Sequence, residues 1–313
     1  MPMKFTQQPR ALLMVRPASF GFNESTAESN TFQRSEGQNA EALLKSAQSE
    51  FDRMVDLLAS HEIDVHVFSD PPHPPKPDAI FPNNWISFHE DGTVILYPML
   101  AANRRLERRS DIMDVLKKEF AVTRVIDLSA EENNDMFLEG TGSLVFDHVN
   151  RIAYACRSPR THPALVVKVC KELGYRPVIF NAVDEKGISV YHTNVLMAVS
   201  EKFAIMCLDA IKEDTDQELL LAGFASSGHK VIAISYAQMY SFAGNMIEVF
   251  TRNGEPVVLM SETAFKSLLP GQIQGINRYS EILPVSVETI EKVGGGGVRC
   301  MVAGIHLPKG NQG

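Results

Sequence analysis

The sequence predicts an α/β fold made of repeated ββαβ units that close into a ring. Four stretches read as strand, polar turn, strand, and they begin at Trp85, Ser143, Asn194 and Met246, a period of roughly 50–60 residues. Each is followed by a helical stretch and usually by another β-branched run. The two chain ends hold the parts of a fifth unit, and joining them hides the sheet edges that an open array would expose.

The hairpins are "WISFHEDGTVILYPM", "SLVFDHVNRIAYACR", "NVLMAVSEKFAIMCL" and "MIEVFTRNGEPVVLM". Asp91-Gly92 and Asn253-Gly254 are strong hairpin signals, because turns between twisted strands need residues that tolerate positive φ. Helices are expected over 104–120, over 163–173 with Gly174 as its stop, and over 216–227 with a stop near Gly228. They lead into the strands "VTRVIDL", "RPVIF" and "KVIAI". In the fifth unit a strand "ALLMV" precedes a helix with Leu43, Leu44, Ala47, Phe51, Val55 and Leu58 inward, followed by "IDVHVF". Its remaining strand is expected at "VRCMVAGIHL". The Pro-rich "SDPPHPPKPDAIFP" reads as a stiff loop within the ring, so residues 1–313 are expected to form a single domain closed by the C-terminal strand.

Composition narrows the partner. A net charge of -8 argues against nucleic acid or an anionic membrane as the main partner. The N-terminus has no apolar leader and no stretch approaches a membrane span, so the expectation is a cytoplasmic protein acting on a small molecule and free to form a homo-oligomer. Four scattered cysteines make no disulfide framework, and no C-x-x-C or H-E-x-x-H spacing suggests a metal. Reduced thiols, no metal and no cofactor are expected.

In a closed ring the beginnings of equivalent strands face one central region. The residues there are "PDAIFPNNW", "LEGTGS", "YHTN", "AGNM" and "RCM", with polar members Asp78, Asn83, Asn84, Glu139, His192, Asn194, Asn245 and Cys300. A Cys, a His and a Glu at matching places in three units make a nucleophile, base and orienter constellation. Cys156, Cys170 and Cys207 lie in apolar contexts and are read as core. His148, His162 and His229 read as turn or helix-end residues without a role. Asn245 either caps a turn or enters the pocket. The run Gly294–Gly297 before Cys300 is either a loose loop or a close approach of backbone to ligand.

These motifs resemble those of the guanidine-modifying penteins, a superfamily of arginine deiminases, amidinotransferases and dimethylarginine dimethylaminohydrolases. "PDAIFPNN" resembles PDxxFxED, "LEGTGS" resembles LEGGD, "SPRTHP" resembles SxRTN, and "GGVRCM" resembles GGxRCM. The resemblance spans nearly the whole chain and implies a five-bladed, pseudo-symmetric α/β propeller. It also implies Cys300 as nucleophile, His192 as general acid/base and Glu139 as acidic partner, which would either orient His192 or accept a substrate N–H. Arg160 and one of Arg104 and Arg105 would hold a substrate carboxylate, and Asp78 an α-amino group.

The departures from the motifs bear on the substrate. Relatives that bind a cationic guanidinium place carboxylates where this chain has Asn84 and Asn194, and Asn83 replaces a further Glu. A buried cation deprived of its carboxylate loses about 3–5 kcal/mol. A neutral ureido group loses nothing, and asparagine amides match its carbonyl and N–H groups. The expectation is hydrolysis of citrulline or an analogue to ornithine, ammonia and carbon dioxide, and the chain resembles the citrulline-hydrolysing branch. Arginine deiminase, dimethylarginine hydrolase and amidinotransferase activities remain open, as does a non-catalytic binding role on the same fold.

Overall fold

A computed structural model describes residues 6–35, 37 and 39–310 of the chain. Fifteen strands fall among them into five groups of three, each joining an antiparallel pair to one parallel strand. The first hairpin, β3 (Ile86–Phe88) with β4 (Thr93–Leu96), continues into β5 (Arg124–Asp127). The second is β6 (Val145–Asp147) with β7 (Ile152–Cys156), continuing into β8 (Arg176–Phe180). The third is β9 (Met197–Val199) with β10 (Phe203–Met206), then β11 (Lys230–Ala233). The fourth is β12 (Ile247–Phe250) with β13 (Pro256–Ser261), then β14 (Glu281–Val285).

The fifth group joins the ends of the chain. β1 (Ala11–Arg16) runs parallel to β2 (Val65–Ser69) and antiparallel to β15 (Ala303–Ile305), in the register Ala11↔Ile305, Leu12↔Gly304 and Leu13↔Ala303. β15 also meets β3 through Ile305↔Phe88, which merges two of the groups into one six-stranded sheet beside three three-stranded sheets. The molecule is therefore an α/β fold with mixed sheets.

The helices form where an apolar stripe recurs at helical spacing. Ala40–Ser60 starts at Asn39, whose side chain accepts from the Glu41 N–H, and buries Leu43, Ala47, Phe51, Met54 and Leu58 against Leu12 and Met14 of β1. Burying a side chain such as Phe51 is worth about 1.5–3 kcal/mol. Pro163–Leu173 ends at Gly174 with φ 70, the left-handed stop expected there. Adjacent groups are stitched by polar side chains. Gln7 donates from Nε2 to the carbonyls of Phe146 and Val199, and the Thr193 hydroxyl donates to Ser143 O at 2.6 Å.

Three expectations need correction. The stretch 104–120 is divided: Ala102–Glu107 is a tight 3₁₀ turn and the helix proper is Ser110–Glu119. The fourth unit carries two short helices, Glu262–Ser267 and Pro270–Asn277, that the sequence reading lacked. The closing strand is shorter than expected, because Cys300 N–H donates to Gly297 O and Met301 N–H to Val298 O, curling 298–301 into a turn. No helix among the described residues is long and apolar enough to cross a membrane.

Candidate active site

Each group of strands is entered through a short helical or turn segment, and these segments converge. The 3₁₀ turn Pro82–Asn84 precedes β3, Gly140–Ser143 precedes β6, and Thr193–Leu196 precedes β9. Asn245 ends the turn before β12, and Cys300 lies in the turn before β15. Asp78, Asn84, Arg104, Arg160, His192 and Cys300 line a single narrow recess.

Glu139 sits beneath that recess and is fully buried. Its Oε2 lies 2.9 Å from His192 Nε2 and accepts from Arg160 Nη1 at 3.3 Å. Burial alone would raise Glu139, but Arg160, the His192 hydrogen bond and Arg104 outweigh it and hold the carboxyl well below the usual carboxylate range. His192 is pulled down to about 4, since burial outweighs the attraction of Glu139. An ionised carboxylate can only accept, so Nε2 carries the imidazole proton and Nδ1 keeps a free lone pair.

Cys300 is buried, and two amides face its sulfur: Asn245 Nδ2 at 3.3 Å and Asn194 Nδ2 at 3.6 Å. Burial raises its thiol, opposed by Asn245, Arg299 and Asn194. The other thiols have no facing amide: the Thr193 hydroxyl opposes burial at Cys156 and backbone N–H groups and Lys212 at Cys207, yet burial pushes Cys156 and Cys170 up to about 12 and Cys207 to about 11. Asn245 thus contacts the sulfur as well as ending a turn.

Of the two arginines in the run, Arg104 lines the recess. Its Nη1 donates to Asn84 Oδ1 at 2.8 Å, and Nε and Nη2 donate to Glu107 at 2.9 Å. Burial raises Glu107 to about 7 despite this pairing. Arg105 instead donates to Met99 O at 3.1 Å and pairs with Glu132 at 3.3 Å, so it is not brought to the recess. Asn83 is buried and stands outside the recess lining, and its carbonyl accepts from the Thr141 hydroxyl.

The recess is roofed by residues the sequence did not single out. Arg160 Nη2 donates to Ser29 Oγ at 2.6 Å and Thr26 O at 3.1 Å, Asn23 Nδ2 donates to Asp78 Oδ2 at 2.7 Å, and Gln33 Nε2 donates to Gly294 O at 3.2 Å. Asn30, Phe81 and Tyr191 also line it. Asp78 Oδ1 and Asn84 Nδ2 are buried without a hydrogen-bond partner.

The glycines have a steric reason. A Cβ on Gly142 would lie 2.4 Å from Asn84 Nδ2 and 2.8 Å from His192 Nδ1. Cβ atoms on Gly294 and Gly296 would meet the Phe81 ring at 2.7 and 2.9 Å, so the run is a buried close approach rather than a loose loop.

No curated protein sequence matches the chain. Several solved structures share the fold. The N-terminal domain of ArgZ, an arginine dihydrolase from the ornithine–ammonia cycle in Cyanobacteria, aligns with a TM-score of 0.74 at 15% identity, covering 95% of this chain and 98% of that one. Unliganded AgrE aligns at 0.75 and 19% identity over 96% of this chain, which spans 40% of the AgrE chain. A dimethylarginine dimethylaminohydrolase trapped as an adduct with S-methyl-L-thiocitrulline aligns at 0.64 and 15% identity, covering 95% and 99%. The sequence profile described as N,N dimethylarginine dimethylhydrolase, eukaryotic, matches residues 16–307, and by that match the chain belongs to this family of the guanidine-modifying pentein superfamily.

Proposed function

We propose that the chain is a cysteine-dependent hydrolase of C–N bonds in a small amino acid, and that its favoured substrate is citrulline or a close analogue, converted to ornithine, ammonia and carbon dioxide. The observation that carries the substrate choice is that amides, not carboxylates, face the Cys300 sulfur. The unpartnered Oδ1 of Asp78 offers an acceptor to a substrate ammonium. Arg160 offers a planar donor fork to the carboxylate once Ser29 is exchanged. We also infer that the five strand groups are the blades of a closed propeller whose axis carries this recess.

At rest the thiol and the imidazole are both neutral, because burial raises one and lowers the other. In the proposed reaction the thiol proton passes to His192 Nδ1 while sulfur attacks the ureido carbon. Nδ1 then protonates the terminal nitrogen, which leaves as ammonia, and the carbon stays on sulfur as a thiocarbamate ester of ornithine. Water, deprotonated at Nδ1, attacks that carbon, and the sulfur leaves and regains the proton. The resulting carbamate loses carbon dioxide to give ornithine. Glu139 keeps Nδ1 as the working atom.

A second reading, attack on the guanidino carbon of arginine or dimethylarginine, is favoured by the family description and by the activity ascribed to ArgZ. Ammonia and ornithine release from citrulline, arginine and N,N-dimethylarginine separates the two. The highest kcat/KM is expected on citrulline, and a preference for arginine would overturn the substrate assignment.

A further inference from the structure

Arg299, which precedes Cys300, takes no part in the recess. It lines a second, larger cavity of ≈ 60 Å³ together with Asn194, whose amide also faces the Cys300 sulfur. Among the described residues the guanidinium enters no ion pair, and its hydrogen bond is Nη1 to Val302 O at 3.0 Å. Burial lowers it to about 10, so it stays protonated at neutral pH. The one carboxylate in the lining, Glu248, is already engaged: Oε2 accepts from Gln8 Nε2 at 2.6 Å and from Glu201 N at 2.9 Å, and Oε1 accepts from the Ser280 hydroxyl. A half-buried cation that lines an enclosed cavity without a counter-charge is left poorly compensated unless something else supplies the charge.

The rest of the lining suits an anion. His89, His148 and His306 border the cavity, with the His148 and His306 rings 4.0 Å apart. His89 Nδ1 is buried without a partner while its Nε2 is bonded to Ser87 Oγ at 2.8 Å. Burial lowers His89 to about 4 and His306 to about 3, so the imidazoles are neutral hydrogen-bonding groups at pH 7. No group of His, Cys, Asp and Glu among the described residues could hold a metal ion, and Arg299 would repel a cation.

We propose that this second cavity binds a small oxyanion, of phosphate, sulfate or carboxylate chemistry, held by the Arg299 guanidinium with the His89 and His306 imidazoles beside it. A planar guanidinium matches such oxygens bidentately. Because the charge of Arg299 favours the Cys300 thiolate, a bound anion cancels that help and makes the thiol harder to ionise.

The test is isothermal titration of the whole chain with inorganic phosphate, sulfate and acetate at constant ionic strength. Iodoacetamide alkylation of Cys300 at pH 7 is measured with and without phosphate. Arg299→Gln should weaken binding at least about tenfold and Arg160→Gln should leave it unchanged, with alkylation of the wild type slowed about twofold or more by phosphate. His306→Leu, which keeps Arg299, should also weaken binding and covers the case in which Arg299→Gln fails to fold. Binding by acetate as well as phosphate identifies a carboxylate as sufficient, and binding by phosphate and sulfate alone identifies a tetrahedral oxyanion. No binding of any of the three, binding indifferent to Arg299 and His306, or loss in Arg160→Gln instead overturns the proposal. Neither readout needs turnover, so the test stands if the proposed hydrolase reaction fails.

Discussion

Glu139 Oε2 and His192 Nε2 are 2.9 Å apart, and His192 lines the same recess as Cys300. The carboxylate fixes which imidazole nitrogen is protonated. In Glu139→Gln the amide can donate to Nε2 and move the proton to Nδ1, the nitrogen proposed to shuttle it. Turnover is expected to fall at least about a hundredfold in protein whose circular dichroism is unchanged. A near-normal kcat would show that Nδ1 does not carry the proton.

Gly142→Ala tests the same pair from the other side. The added methyl would sit within 3 Å of both Asn84 Nδ2 and His192 Nδ1. Gly142 has no left-handed backbone to strain, so the effect should fall on the site rather than on the fold. A displacement of this size is expected to lower kcat/KM about a hundredfold with little change in the urea midpoint. Unchanged kinetics would mean that the His192 position is not critical.

Limiting iodoacetamide should modify Cys300 ahead of Cys156, Cys170 and Cys207 and abolish turnover, because Cys300 alone of the four has two amides and a nearby guanidinium favouring its thiolate. Peptide mapping reads the site. Labelling of another cysteine with activity retained would remove Cys300 from the reaction.

The fold was legible where local chemistry decides it. The hairpins followed from turn residues such as Gly92 and Gly254, both of which adopt positive φ, and the helix ending at Gly174 followed from its stop. The short helices Glu262–Ser267 and Pro270–Asn277 were not legible, since each is too brief for a periodic stripe and the junction holds the exposed Leu269. "VRCMVAGIHL" looks like one strand because its apolar residues are frequent, yet the turn at 298–301 is set by hydrogen bonds within the segment. In the site, the choice between Arg104 and Arg105 depended on the 3₁₀ turn that carries them: neighbours on such a turn point about 120° apart, so one reaches the recess and the other does not. Asn30 and Ser29 were hidden because tertiary placement of their segment, not any local motif, brings them over the recess.

The two asparagines that replace carboxylates should not behave alike. At position 84 a new aspartate would find Arg104, whose Nη1 is already 2.8 Å from the side-chain oxygen, so Asn84→Asp should change the arginine-to-citrulline ratio of kcat/KM little. At position 194 it would face the sulfur, so Asn194→Asp should raise the thiol further and move the activity profile to higher pH. It should also shift the kcat/KM ratio toward arginine. Equal ratios in wild type and Asn194→Asp would dismiss charge at this position as the source of specificity.

Stability should depend on pH through groups of opposite sign. His89 has a folded value of about 4, below its ordinary 6.5, so the unfolded chain takes up the proton first and stability is lost as pH falls from 6.5 toward 4. Glu291 is raised by burial to about 7 from 4.5, so its cost is present at pH 7 and relieved as pH falls toward 4.5. His89→Gln is therefore expected to gain stability over the wild type at pH 5 but not at pH 7, and Glu291→Gln at pH 7.5 but not at pH 4.5. Urea midpoints at the two pH values read both. A gain independent of pH would mean that packing rather than titration is responsible.

The short seam between the chain ends bears on how the protein fails. β15 is tied to β1 by the pairs Ala11↔Ile305 through Leu13↔Ala303 and to β3 at Ile305↔Phe88, and Cys300 hangs three residues before it. No turn connects β15 to β1, so it can detach in a sub-global opening while the hairpins, whose strands are tied by short turns, stay paired. Loss of activity in urea should then precede the loss of far-ultraviolet ellipticity, with amide exchange at 303–305 faster than in β7 or β13. Inactivation on warming would begin as a reversible unlatching of one strand, and the protein would recover on cooling for as long as the other four groups remain folded.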